Sequence, residues 1–147
     1  MLDPAIKLAT STPKADPSAD YAWEVFRKAD KLKPGSFTIL EKRALQLVGA
    51  PSSAEPPKGR TAYGWHVAEG RADIFLTYCT NVLAAQAENP GQQLVHLPDT
   101  LAVGADYGMT VMIGASSTAH QFAMFILSAA GQLILAKHGF TAPGSLQ

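Results

Sequence analysis

The residues best placed for chemistry lie together. Thr77, Tyr78, Cys79, Thr80 and Asn81 follow directly on the apolar run Ile74, Phe75 and Leu76. That order predicts a buried strand ending in polar tips where the next helix opens. In open α/β sheets ligands sit beyond the carboxyl ends of strands, facing unpaired N–H groups of helix N-termini. Tyr78 is therefore a candidate ligand contact, although the same pattern suits a strand-end aromatic with its hydroxyl in water. Cys79 opens a helix, where thiolate formation is favoured. No histidine stands at a fixed spacing from it, so it reads as an inert core thiol. His66, His96, His120 and His138 are scattered without the spacing of a zinc site. His66 falls within a helix and His138 at a helix C-terminus, both structural placements. Trp23 and Trp65 fall on helical faces and suit packing. A Gly-rich phosphate loop, a G-x-S-x-G elbow and paired carboxylates are all missing from the sequence. A binding role is expected, not an enzyme.

The composition is compatible with one domain. The 147 residues are 47% hydrophobic, with twelve basic side chains balancing twelve acidic ones. Zero net charge gives no electrostatic footprint for nucleic acid or an anionic membrane. One cysteine excludes an intramolecular disulfide. The longest apolar runs, Phe122 to Leu127 and Leu133 to Ala136, are too short to span a bilayer. The opening stretch MLDPAIKLATSTPK lacks a basic region followed by an apolar one, so no secretory signal is expected in the chain as written.

Read in order, Ile6 to Thr10 predicts a strand and STPKADPSAD a turn-rich loop. Asp16-Pro17-Ser18 supplies a turn, with Ser18 as the cap of a helix running from Asp20 to Leu32. Phe37, Leu40, Ala44, Leu45 and Val48 repeat at helical spacing between Ser36 and Gly49, predicting a second helix. A Pro- and Ser-rich surface loop, APSSAEPPKG, leads to a short helix over Arg60 to Glu69. After the Ile74–Leu76 strand come a helix over Thr80 to Glu88, a strand over Leu94 to Leu97 and another over Tyr107 to Ile113. Two closing helices meet at Ser128 and stop at His138-Gly139. Strands alternating with helices predict an α/β fold with a largely parallel sheet. The closing helices carry Phe122, Phe125, Ile126, Leu133 and Phe140, a large apolar load for the strands that remain.

Four segments in this order resemble the later part of periplasmic molybdate-binding proteins, the solute-binding components of ABC importers. They are ATSTPKADPSADYAWEVF, AEGRADIFLTYCTNVLAA, VHLPDTLAVGADYGMTVMIGAS and FILSAAGQLILAKHGF. The first is similar to a D-P-x-x-P-A-G-x-Y-A loop and helix, and the second to a G-E-A-D strand ending in tyrosine. The resemblance implies one lobe of a type II periplasmic binding protein, forming a single domain over residues 1–147. Residues 1–113 would be second-lobe-like, and 114–147 the helices that in the family return to the first lobe. The serine-bearing first lobe and signal peptide would be absent, leaving a truncated or standalone form. The apolar load of the last helices would then be hidden in a homo-oligomer.

The same resemblance implies three ligand contacts. A small residue of the P-A-G loop offers its backbone N–H, and the matching position is Ser18. The strand-end tyrosine offers its hydroxyl, and that is Tyr78. A second backbone N–H comes from the start of the preceding helix, at Arg60. Arg60 stands where the family has a small apolar residue, and Ala19 stands where the loop has glycine. Molybdate, tungstate or sulfate, another oxyanion or an organic acid all remain open as the small anionic ligand, with no other cofactor implied. An ABC permease is the implied partner. The family location is the periplasm; expression of the chain as written implies the cytoplasm. A sensory or structural domain of the same fold, self-associating and without oxyanion affinity, stands as the alternative.

Overall fold

The computed structural model describes residues 1–141. Its sheet is built on β1, Leu8–Ser11, whose four residues are all buried. β2, Leu45–Val48, and β3, Ile74–Phe75, flank it in the order β2-β1-β3. Both pairings are parallel, with Ala9 opposite Leu45 on one side and Phe75 on the other. A register shift between Thr10 and Ser11 interrupts the β1–β2 ladder at its carboxyl end. The fold is α/β with a parallel sheet and flanking helices, as expected.

The crossover from β1 to β2 uses α1, Pro17–Leu32, and α2, Ser36–Arg43. α1 buries Ala19, Ala22, Val25 and Phe26, the face predicted by its period. Phe26 meets Leu8 and Leu40 in a core ringed by Trp23, Phe37, Ile74 and Leu76. Arg43 ties the N-terminal segment down, donating to the carbonyls of Leu2, Asp3 and Ile6 at 3.1, 2.6 and 2.9 Å. α3, Ala62–Ala68, returns the chain to β3, whose entry is held where Lys7 N–H donates to Asp73 at 2.7 Å. α4, Cys79–Glu88, follows β3 directly.

Several expectations are corrected. The second helix does not run to Val48: it ends at Arg43, and Ala44 turns extended. Leu45–Val48 joins the sheet because its backbone pairs with β1, and that ladder outweighs a helical period shared with any short apolar run. The central strand is β1, whereas β3 is a half-buried edge strand of two residues. Segments 94–97 and 107–113 form no strand. Among the described residues no sheet edge pairs with them, and β-propensity alone does not hold a strand.

Two compact units are present, Met1–Ala105 and Asp106–Gln147. The second is described up to Thr141 and contains α5, Ser117–Leu127, and α6, Ala129–Lys137. Ser128 closes the first and caps the second, and the two helices are bent by 66° at that break. No single described helix is long and apolar enough to cross a membrane. Phe122, Met124, Phe125, Leu127, Leu133 and Ile134 are exposed, so the apolar load noted in the sequence lies largely on the surface of this unit.

Candidate functional site

The carboxyl ends of β1 and β3 are neighbours in the sheet, which brings two polar turns together. β1 delivers Ser11 to the first turn of α1, where the Ser18 hydroxyl donates to Ser11 Oγ at 2.8 Å. Both serines are buried. The cap of α1 is Asp16, not Ser18: its Oδ1 accepts from the Ser18 backbone N–H at 2.8 Å. Pro17 then suits the first helical position, where its missing N–H costs nothing.

β3 leads through Leu76, whose N–H donates to Ala9 at 3.0 Å, into Thr77 and Tyr78. Tyr78 occupies the N-cap position of α4. Asn81 locks the turn, its side chain donating to Thr77 Oγ1 at 2.8 Å. The Tyr78 ring meets Tyr21 edge-on at 5.9 Å, and Tyr21 stands one turn beyond Ser18. Ser11 and Ser18 thus form a hydrogen-bonded pair, and Tyr21 and Tyr78 a ring pair, with Ser18 and Tyr21 one turn apart on α1. Ser18 follows β1 and Tyr78 follows β3, two neighbouring strands, and Tyr78 meets α1 through Tyr21. Tyr21 and Ser11 were missed in the sequence, although Tyr21 follows Ser18 at an i,i+3 spacing that puts both on one helix face.

Arg60 is engaged elsewhere. Its guanidinium binds Glu88 Oε2 and Asn89 Oδ1, both at 3.1 Å. Those partners end α4, whereas Tyr78 caps its start; ten residues at 1.5 Å each separate them by about 15 Å. The Arg60 N–H donates to Pro57 at 3.0 Å, and the next N–H, of Thr61, donates to Glu88 Oε1 at 2.7 Å. Cys79 is exposed and not a core thiol, because α4 begins at the surface. Among the described residues no group of three or more His, Cys, Asp or Glu side chains could hold a metal ion.

His66 is the buried titratable group next to β3. Only 1% of its surface is exposed, and neither ring nitrogen has a hydrogen-bond partner. It packs between Trp65 and Phe75, with ring centroids at 4.8 and 6.2 Å. Burial holds its pKa below 6.5, and the nearby Arg71 charge lowers it further. The Leu47 backbone pulls weakly the other way without reaching hydrogen-bond geometry. The unfolded chain therefore binds this proton more readily than the folded one. The stability from a neutral His66 is complete above pH 6.5 and is lost as pH falls through the depressed folded value. We expect the thermal midpoint to drop on acidification below that point, and His66→Phe to flatten the drop. An identical pH slope in the variant would remove His66 as its cause.

A short parallel sheet with polar turns beyond its carboxyl ends is an architecture on which α/β folds place ligands. The model of the family described as "bacterial extracellular solute-binding protein" matches residues 1–141, and the chain belongs to that family. An uncharacterized protein of Pasteurella multocida (strain Pm70) is 32% identical over 107 residues, or 73% of this chain. The match covers 44% of that relative, so the chain spans less than half its length. No solved structure matches the chain.

Proposed function

We propose that this chain is a small-solute-binding module whose site lies at Ser11, Ser18, Tyr21 and Tyr78. The solute class proposed is an oxyanion such as molybdate, tungstate or sulfate. The observation that carries the reading is the ring contact of Tyr78, after β3, with Tyr21, one turn along α1 from Ser18, beyond the carboxyl ends of one parallel sheet. Neutral hydroxyls recognise a desolvated oxyanion by donating hydrogen bonds, and the N-terminus of α1 contributes a favourable dipole. In this reading the module acts without catalysis, works in the periplasm and delivers its solute to an ABC permease. Closure of a second lobe over the site would complete the pocket.

The test is calorimetric titration of Tyr78→Phe with molybdate, tungstate and sulfate. Loss of one hydroxyl donor is expected to weaken binding by roughly tenfold, the equivalent of about 1.4 kcal/mol. Unchanged affinity takes Tyr78 out of the site.

The exposed apolar side chains of α5 and α6 favour a second reading. In it the module self-associates through those helices and is indifferent to oxyanions. Light scattering with and without molybdate separates the two: a ligand-indifferent dimer supports the second, and binding by the chain supports the first.

A further inference from the structure

We infer that His66 is a proton-operated latch: protonation of its ring releases α3 from the sheet and loosens, through α4, the turn that carries Tyr78. The inference concerns regulation of that turn and does not depend on which solute Tyr78 contacts.

The latch is the interface between α3 and the sheet. The His66 ring stacks on Phe75 of β3 at 6.2 Å, and Tyr63 meets the same phenyl ring edge-on at 5.1 Å. The Leu47 backbone of β2 is close to the imidazole as well. Both ring nitrogens are buried there without a hydrogen-bond partner. A neutral imidazole endures that setting at the cost of its unmade hydrogen bonds. An imidazolium would add an uncompensated charge to the same apolar surroundings.

Among the described residues no carboxylate is placed to answer that charge. Arg71, over the Trp65 ring at 4.1 Å, repels it. Glu69 and Asp73 are exposed, and Asp73 is engaged by the Lys7 N–H at 2.7 Å. Glu88 of α4 is occupied at the opposite end of α3, by Arg60 and the Thr61 N–H. β2, Leu45–Val48, and β3, Ile74–Phe75, contain no ionisable side chain. Burial and the Arg71 charge both favour the neutral ring, in line with this geometry.

Movement of α3 has a route to Tyr78. Gly64 lets α3 and α4 close on each other, since a Cβ there would lie 3.0 Å from that of Ala85. Gln92, just beyond α4, donates to the Gly64 carbonyl at 2.7 Å. α4 begins directly after Tyr78, and β3 offers only two residues of ladder to resist a shift. The rest of the unit is held separately. Ile74 packs with Leu8, Phe26 and Leu40, whereas Phe75 packs with His66, so α1 and α3 cover opposite faces of the sheet.

The experiment is hydrogen exchange on the full chain at about pH 8 and about pH 5, the span in which histidine titrates, corrected for the intrinsic pH dependence of exchange. In the wild type, residues 62–68 and 77–88 are expected to lose protection at the lower pH, while 17–32 keep theirs. His66→Phe and His66→Leu cannot take up the proton and should stay protected at both. The His66 ring resonance of the wild type should titrate together with the loss in α3. Equal protection at the two pH values overturns the latch, as does the same acid loss in either folded variant. Loss of α1 protection in step with α3 means global unfolding and overturns it too. Should neither variant fold, the wild-type resonance decides: titration of the ring without loss of α3 protection, or loss before the ring titrates, overturns the inference.

Discussion

Phe26→Ala should lower the unfolding free energy by about 3–5 kcal/mol, the usual cost of emptying a fully buried aromatic site. Phe26 has no exposed surface and joins Leu8 of β1 to Leu40 of α2. Its ring also contacts Trp23 at 5.2 Å, so truncation removes packing from three elements at once. Stabilities of domains this size run near 5–15 kcal/mol, which makes the loss a large share of the whole. Urea denaturation checks it through a lower midpoint at an unchanged slope. A loss under about 1 kcal/mol would mean that the core closes around the gap, contrary to the dense packing of protein interiors. The effect extends to the site, because the helix that buries Phe26 also presents Ser18 and Tyr21.

Gly131→Ala should destabilise the α5–α6 elbow by about 1–3 kcal/mol, the range for overpacking. A Cβ there would lie 2.2 Å from the Phe125 carbonyl oxygen and 2.7 Å from that of Ile126, both backbone atoms that cannot rotate away. The elbow depends on this closeness. Ser128 Oγ donates to Phe125 at 2.6 Å and accepts from Gly131 N–H at 3.2 Å. Gln132 completes it by donating to the Ile126 carbonyl at 2.8 Å. The second unit buries only Ala123 and Gly131 among its described residues, so it has little apolar burial to offset the strain. Hydrogen exchange at the α5 and α6 amides should accelerate in the variant. Unaltered protection there would show that the two helices meet at some other angle in solution.

Much of the architecture could be read from the residues alone. The helical period of Ala22, Val25 and Phe26 located α1, and Ser128 marked the junction of α5 and α6. The polar turn after Ile74–Leu76 pointed to Tyr78. These are local signals: a period, a cap and a strand end each depend on neighbours within a few residues. What pairs with what is a different matter. Leu45–Val48 carries a helical spacing yet becomes a strand, since only the folded chain brings β1 alongside to satisfy its backbone groups. The segments 94–97 and 107–113 have β-propensity and no such partner, and they stay irregular. Ser18 was readable as a helix-capping position, but Asp16 captures its N–H because Pro17 sets the helix start one residue later than the cap. Arg60 reads as an anion contact until the fold sets Glu88 and Asn89 against its guanidinium. By itself the sequence determined the α/β class, most helix limits and the two polar turns. The tertiary structure decided that β1 is the centre of the sheet, that Tyr21 meets Tyr78, and that Glu88 takes both the Arg60 guanidinium and the Thr61 N–H. Each of those depends on contacts between residues far apart in the chain, and no local period encodes them.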